Sequence, residues 1–326
     1  MILNHAFDIL DCGVFANISS MFSPDVGVFL KLEAFNAAGS IKLKPAIALV
    51  EALEKMSKLR TGRTIIDTTS GNMGIALAIV AKSKGYGFVC VTDEKMTVHN
   101  RAIVKAYDAE IVVMPNSTLD ERYRYIEARI AADNSLVWTR QFTNPENPAT
   151  HARTTAREIL SEFERIDYLF VGTGTGGTLA GCSKAFAEQS PDTKIFAVDA
   201  AGSLHFEEPK PWIQRRIPGI GATRRSPFLL DVHIHKALVV GDRETIRTCC
   251  DLRDATGWLV GGSTGSVVAA ARSMQRLFSR GATVVCVGAD MGERYLNTIY
   301  NEDWVRDEFG DLDDMQNDPP PDQIAV

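Results

Sequence analysis

No run of apolar residues in this chain approaches the ~18 that a membrane-crossing helix needs, so the sequence reads as that of a soluble protein with no membrane partner. Charge of one sign is equally scarce. Lys and Arg number 35 against 41 Asp and Glu, a formal net charge of −6, and the basic residues form no block or stripe along the chain. That argues against a nucleic-acid partner and for small-molecule chemistry. Cysteine is limited to six residues (Cys12, Cys90, Cys182, Cys249, Cys250 and Cys286), most of them inside apolar runs, without metal-ligand spacing and with no secretory signal ahead of them. They read as reduced core thiols of a cytoplasmic protein. Cys249 and Cys250, adjacent in a helical pattern, read as core filler. Histidine is also sparse. His233 and His235 alternate in an extended segment but lack a third ligand, so no metal site is expected, while His99 and His151 read as surface or capping residues that could touch a substrate.

What the chain does have is enough apolar material, 45% of 326 residues, to bury the cores of two domains. Short β-branched runs alternate with longer segments of helical period, the pattern of parallel strands joined by helices. The strands expected are 28–33, 64–68, 87–92, 110–114, 167–172, 194–199, 237–240 and 283–288. A helix is expected over 44–58, with Ile47, Val50, Leu53 and Met56 on its apolar face. Doubly wound sheets of this α/β kind collect ligands where strands open into helices, which singles out the loops after Thr68, Gly172 and Val260. The stretch 311–326 is rich in Asp and Pro, cannot form a core, and reads as a disordered acidic tail.

Each of the three loops is rich in Gly, Ser and Thr. Thr68-Thr69-Ser70-Gly71-Asn72-Met73-Gly74 offers hydroxyls and backbone N–H groups at a helix N-terminus, where the dipole favours a carboxylate; a capped tight turn is the plainer reading. Gly172-Thr173-Gly174-Thr175-Gly176-Gly177-Thr178 suits a phosphate, because four glycines expose successive N–H groups and three threonines set hydroxyls among them. It lacks the lysine of a nucleotide P-loop, and its glycine spacing does not match the dinucleotide fingerprint. Gly261-Gly262-Ser263-Thr264-Gly265-Ser266 is, taken alone, a weak signal.

Together, and in this order, the loops resemble the fold-type II pyridoxal-phosphate family, which includes cysteine synthase, cystathionine β-synthase and the serine and threonine dehydratases and is tryptophan synthase β-like in fold. The resemblance runs from Leu30-Lys31-Leu32-Glu33 to Gly292-Glu293-Arg294-Tyr295-Leu296. In the segment Asn36-Ala37-Ala38-Gly39-Ser40-Ile41-Lys42 it implies that Lys42 is the Schiff-base lysine and the catalytic acid–base group. It implies further that pyridoxal 5'-phosphate is the cofactor, that Asn72 meets its phenolic oxygen, that Gly174, Thr175, Gly176, Gly177 and Thr178 hold its phosphate, and that Ser263 meets the pyridine nitrogen. A hydroxyl at that nitrogen, in place of a carboxylate, favours prompt β-elimination. The family also implies a homodimer and two α/β domains, the smaller over 39–142 and the larger over 1–38 with 143–310.

Within the family, Gln141-Phe142-Thr143-Asn144-Pro145-Glu146-Asn147-Pro148 resembles the cysteine-synthase segment whose Gln binds the substrate carboxylate with Thr69 and Ser70. Two departures point elsewhere. Met73 stands where cysteine synthase has a threonine, and Arg224 and Arg225 follow Ile217-Pro218-Gly219-Ile220-Gly221 where apolar residues are usual. A guanidinium pair suits an anionic leaving group or a dicarboxylic nucleophile; surface ion pairs are the plainer reading. With Tyr295 to Tyr300 and Trp304, the pattern looks most like the siderophore-pathway branch that joins O-phospho-L-serine to L-glutamate, making a 2,3-diaminopropionate-type precursor. Cysteine synthase is the alternative function, and a family member acting mainly as a partner protein is a third.

Overall fold

The computed structural model describes residues 2–10, 13–206, 215–312 and 322–324. Among these residues the strands are β1 (Phe15–Asn17), β2 (Gly27–Leu32), β3 (Thr64–Thr68), β4 (Gly87–Thr92), β5 (Glu110–Val113), β6 (Leu136–Trp138), β7 (Tyr168–Gly172), β8 (Lys194–Ala200), β9 (Lys236–Val240), β10 (Thr283–Gly288) and β11 (Asp322–Ile324). All eight expected strands are present with ends shifted by a single residue at most. The helix expected over 44–58 spans Leu43–Lys55 and stops where Ser57 turns left-handed at φ 56°. The chain divides into two compact units, residues 1–10 with 35–150, and residues 11–34 with 151–326.

The first unit holds a four-stranded, all-parallel sheet in the order β5-β4-β3-β6. Strands β3, β4 and β6 bury both faces, as parallel sheets do, while the edge strand β5 stays partly exposed. Ile65, Phe88 and Cys90 join one core with helices Leu43–Lys55, Asn72–Lys84 and Val98–Ala106. Their neighbours in sequence, Ile66, Val89 and Val91, join the opposite core with Trp138 and with Ile126 of helix Leu119–Ala132. Each fully buried Ile contributes roughly 1.5–3 kcal/mol. Three segments expected with the larger domain group here. Phe7 and Leu10 pack on the first core, and Lys84 Nζ lies 5.6 Å from the centre of the Phe7 ring. Asn36 closes a turn onto Ser40. Asn144 and Asn147 donate to the carbonyls of Thr139 and Gln141 just past β6.

The second unit holds seven strands in the order β1-β2-β10-β7-β8-β9-β11, parallel except for β1 and β11 at the edges. Tyr168, Phe170, Phe196, Val198 and Leu238 form one core with helices Asp242–Thr256 and Gly262–Ser273. The alternate residues Leu169, Val171, Ile195 and Ala197 are buried as well, so this sheet too is covered on both faces. The tail expected to be disordered lies mostly outside the described residues. Asp322–Ile324 is a correction to that expectation, because it pairs antiparallel with β9, whose outer row of N–H and C=O groups would otherwise be unpaired. No helix among the described residues is long and apolar enough to cross a membrane.

Candidate functional site

In the first unit the loop after β3 is braced from below by a buried carboxylate. Asp67 is fully buried; Oδ1 accepts from the Thr68 N–H at 2.7 Å and Trp138 Nε1 at 3.1 Å, and Oδ2 accepts from the Thr139 hydroxyl and the Gln141 N–H. Burial pushes its carboxyl up from the ordinary range, and these donors pull it down. The loop's carbonyls are tied back in turn. Thr68 accepts from Gln141 Nε2 at 2.8 Å, Thr69 from Cys90 Sγ at 3.5 Å, and Ser70 from Asn100 Nδ2 at 3.4 Å. In a trans peptide the next N–H points opposite to the carbonyl, so the Ser70 N–H faces away from Cys90. The first turn of helix Asn72–Lys84 adds further N–H groups beside it, of which that of Gly74 donates to the Gly71 carbonyl at 3.0 Å. Thr69, Ser70 and Asn72 are half-buried at this loop, whereas Gln141 is 3% exposed and Met73 is packed in the first unit's core. What Met73 offers the loop is therefore its backbone.

Lys42 reaches its place by a local device. Asn36 Oδ1 accepts from the Ala38 N–H at 2.9 Å, Asn36 Nδ2 donates to the Ser40 carbonyl at 3.0 Å, and Gly39 takes φ +57°, a conformation that glycine adopts without strain. The turn delivers Lys42, half-buried, as the N-cap of helix Leu43–Lys55. Two residues before it, the fully buried Ser40 hydroxyl has no hydrogen-bond partner among the described residues, a polar atom left for a bound group to satisfy.

In the second unit the glycine-rich loop after β7 is shaped by what lies behind it. Three successive carbonyls are held there: Thr173 by the Gly221 N–H at 2.7 Å, Gly174 by His205 Nε2 at 2.7 Å, and Thr175 by the Ser226 hydroxyl at 2.6 Å. By the same trans geometry the N–H groups of Gly174, Thr175 and Gly176 turn the other way, next to the start of helix Gly177–Gln189. Consecutive N–H groups at a helix N-terminus make an anion nest. The glycines are needed for space. A Cβ on Gly174 would lie 2.9 Å from the Gly219 carbonyl, and one on Gly176, at φ +85°, would lie 2.9 Å from Ser226 Oγ. Thr175 Oγ1 accepts from the Gly177 N–H at 3.3 Å. Thr178 Oγ1 lies 3.3 Å from His151 Nε2, whose Nδ1 is 3.1 Å from Thr155 Oγ1. His151 is thus a buried bracket, against the surface role expected of it, and it opens a π-helical turn, Ala152–Ala156, a feature common near functional sites.

Ser263 is 8% exposed in the first turn of helix Gly262–Ser273. That turn is pinned by the Gly261 N–H on the Asp290 carbonyl at 3.0 Å and by Thr264 Oγ1, which accepts from the Ala289 N–H at 3.2 Å. Arg224 is half-buried and Arg225 exposed. Both lie on the strap between Gly221 and Ser226, two of the three residues that clamp the glycine-rich loop. Sequence reasoning did not single out His205 or Ser226: a lone His and a lone Ser carry no pattern, although the Gly219-Ile220-Gly221 spacing marked the strap itself. His99, His233 and His235 are exposed, and among the described residues no group of three or more His, Cys, Asp or Glu side chains is placed to hold a metal.

The nest of N–H groups after β7 fits the phosphate of a phosphorylated cofactor. Comparison with known proteins agrees in kind. The family model described as pyridoxal-phosphate dependent enzyme matches residues 18–290. A solved O-ureido-L-serine synthase is 30% identical, covering 93% of this chain and 96% of its own, with a TM-score of 0.86. The O-acetylserine-dependent cystathionine beta-synthase of Helicobacter pylori is 29% identical, covering 92% of this chain and all of its own, with a TM-score of 0.86. A hydrogen sulfide-producing enzyme of Fusobacterium nucleatum is 28% identical, covering 91% and 99%, with a TM-score of 0.84.

Proposed function

This chain belongs to the pyridoxal-phosphate-dependent enzymes, and on that premise we propose that it is a synthase joining O-phospho-L-serine to the amine of an amino acid, L-glutamate above all. In such a β-replacement the Cβ–O bond breaks, phosphate leaves with the electron pair, and the amine nitrogen forms the new Cβ–N bond while giving up a proton. The chemistry the cofactor supplies when bound is an electron sink at the substrate's α-carbon. The chain's residues do the rest. Lys42 binds the cofactor, and its Nζ moves the α-proton; Gly174 through Thr178 hold the phosphate; Asn72 and Ser263 orient the ring. Thr69 and Ser70 grip the substrate carboxylate. Gln141, whose Nε2 is engaged by the Thr68 carbonyl, acts there in part by fixing that loop.

The observation carrying the anionic-substrate reading is the placement of Arg224 and Arg225 on the strap that clamps the phosphate loop. A charge-assisted contact contributes roughly 1.5–3 kcal/mol, about tenfold to a hundredfold in kcat/KM. A second reading, cysteine synthase, draws on the intact Gln141 segment and on the likeness to an O-acetylserine-dependent enzyme.

The test offers O-phospho-L-serine and O-acetyl-L-serine in turn with L-glutamate, L-aspartate and sulfide, reading products by mass spectrometry. The glutamate adduct should dominate with O-phospho-L-serine. The Arg224→Ala/Arg225→Ala double variant should lose at least tenfold in kcat/KM with an unchanged cofactor spectrum. Sulfide consumed far faster than any amino acid would establish the cysteine synthase reading instead.

A further inference from the structure

His205 belongs to no motif, yet it is 2% exposed and its ring is engaged at both nitrogens. Nε2 lies 2.7 Å from the Gly174 carbonyl, and Nδ1 lies 3.3 Å from the Ser226 backbone nitrogen. A carbonyl oxygen can only accept and a backbone N–H can only donate, so Nε2 must carry the hydrogen and Nδ1 must present its lone pair. The two neighbours thereby select one neutral tautomer. The residue is itself held at its backbone, where the His205 N–H donates to Ser203 Oγ at 3.4 Å. Burial in the first place, and then the nearby Arg215 and Arg225, press the imidazole toward its neutral form against the pull of the Gly174 carbonyl.

We propose that His205, as its Nε2–H tautomer, is the positioning residue of the phosphate cradle: it does not touch the phosphate but fixes the Gly174–Thr175 peptide so that the Thr175 N–H faces it. This rests on the reading of residues 174–178 as the cofactor's phosphate site. The same ring accepts from the Ser226 N–H, and Ser226 in turn holds the next carbonyl, that of Thr175, at 2.6 Å. One imidazole therefore sets two successive peptides of the nest. Without it the loop's glycines, which impose little conformational preference, leave those peptides free to rotate, and the N–H groups are no longer oriented in advance of binding.

The experiment uses full-length apoenzyme titrated separately with pyridoxal 5'-phosphate and with pyridoxal, which lacks the phosphate. His205→Phe keeps a ring but has neither donor nor acceptor; His205→Gln puts an amide nitrogen where Nε2 stood. His205→Phe should bind pyridoxal 5'-phosphate about tenfold more weakly, while affinity for pyridoxal stays unchanged and the 31P resonance of the bound cofactor broadens or shifts. His205→Gln should recover most of the affinity. Ser226→Ala, milder and less disruptive to folding, should weaken phosphate-dependent binding in the same direction. Equal loss for both ligands, or wild-type affinity in His205→Phe and Ser226→Ala, would overturn the proposal. If wild-type apoenzyme fails to bind pyridoxal 5'-phosphate at all, the cofactor-site reading itself has failed, which is a separate outcome.

Discussion

Single residues carry the sharpest expectations. Lys42→Ala should abolish both the visible absorbance of the holoenzyme and the pyridoxyl label fixed by borohydride, with turnover falling to near background. A label retained in that variant would mean another lysine binds the cofactor. Asp199, at the end of β8, makes a different kind of prediction. Burial pushes its carboxyl from the ordinary 3.8 to about 6, in spite of the Ser203 hydroxyl and the Ala200 N–H, a difference of roughly 3 kcal/mol at 1.36 kcal/mol per pH unit. A folded-state value above the unfolded one means that the folded protein holds its proton more tightly. The stabilising effect of that proton is complete below pH ~4 and is lost as pH rises through about 6. Asp199→Asn, which cannot ionise, should therefore melt like the parent at pH 4 and up to roughly 3 kcal/mol more stably at pH 7, measured on apoprotein. A gap that does not grow with pH would show that the carboxylate is stabilised by its neighbours instead.

At the scale of elements, the strand-to-helix loops are the parts most sensitive to change. Gly176→Ala asks a residue with a Cβ to hold φ +85° within 3.1 Å of Leu229 and Ser226. The left-handed conformation alone costs roughly 1–2 kcal/mol, so the melting temperature should fall and cofactor affinity with it; calorimetry and a spectroscopic titration check both. Most elements were legible in the sequence because apolar period and glycine-rich breaks coincide, as at Thr64–Thr68 followed by Thr69 to Gly74. β1 and β6 were not, since three residues such as Leu136–Trp138, all buried, have no period to read. The loops' front side, the glycines and hydroxyls, was legible too. Its back side was not. The contact between His205 and the Gly174 carbonyl spans 31 residues of sequence, and that between Gln141 and the Thr68 carbonyl spans 73, so the partners come together only after folding. Met73 illustrates the same limit, for a substitution that sequence comparison places in a substrate loop lies in a core.

For the whole molecule, the family resemblance leads us to expect two copies in solution. Light scattering on the holoenzyme should return twice the 35.7 kDa of one chain; a mass of one chain at micromolar concentration would end that expectation. The order of β2 and β10 also has a consequence for how the protein is made. β2 pairs in parallel with β10 in a register that sets Gly27 beside Thr283, 256 positions later. At about 5–20 residues per second, the ribosome needs roughly 10–50 s to supply the partner of a strand it has already released. In that interval the compact unit closed by Thr150 can fold, while Val28, Leu30 and Leu32, all destined for the interior, wait with an unpaired edge. How long those three side chains stay exposed thus depends on the rate of synthesis and not on the stability of the finished sheet.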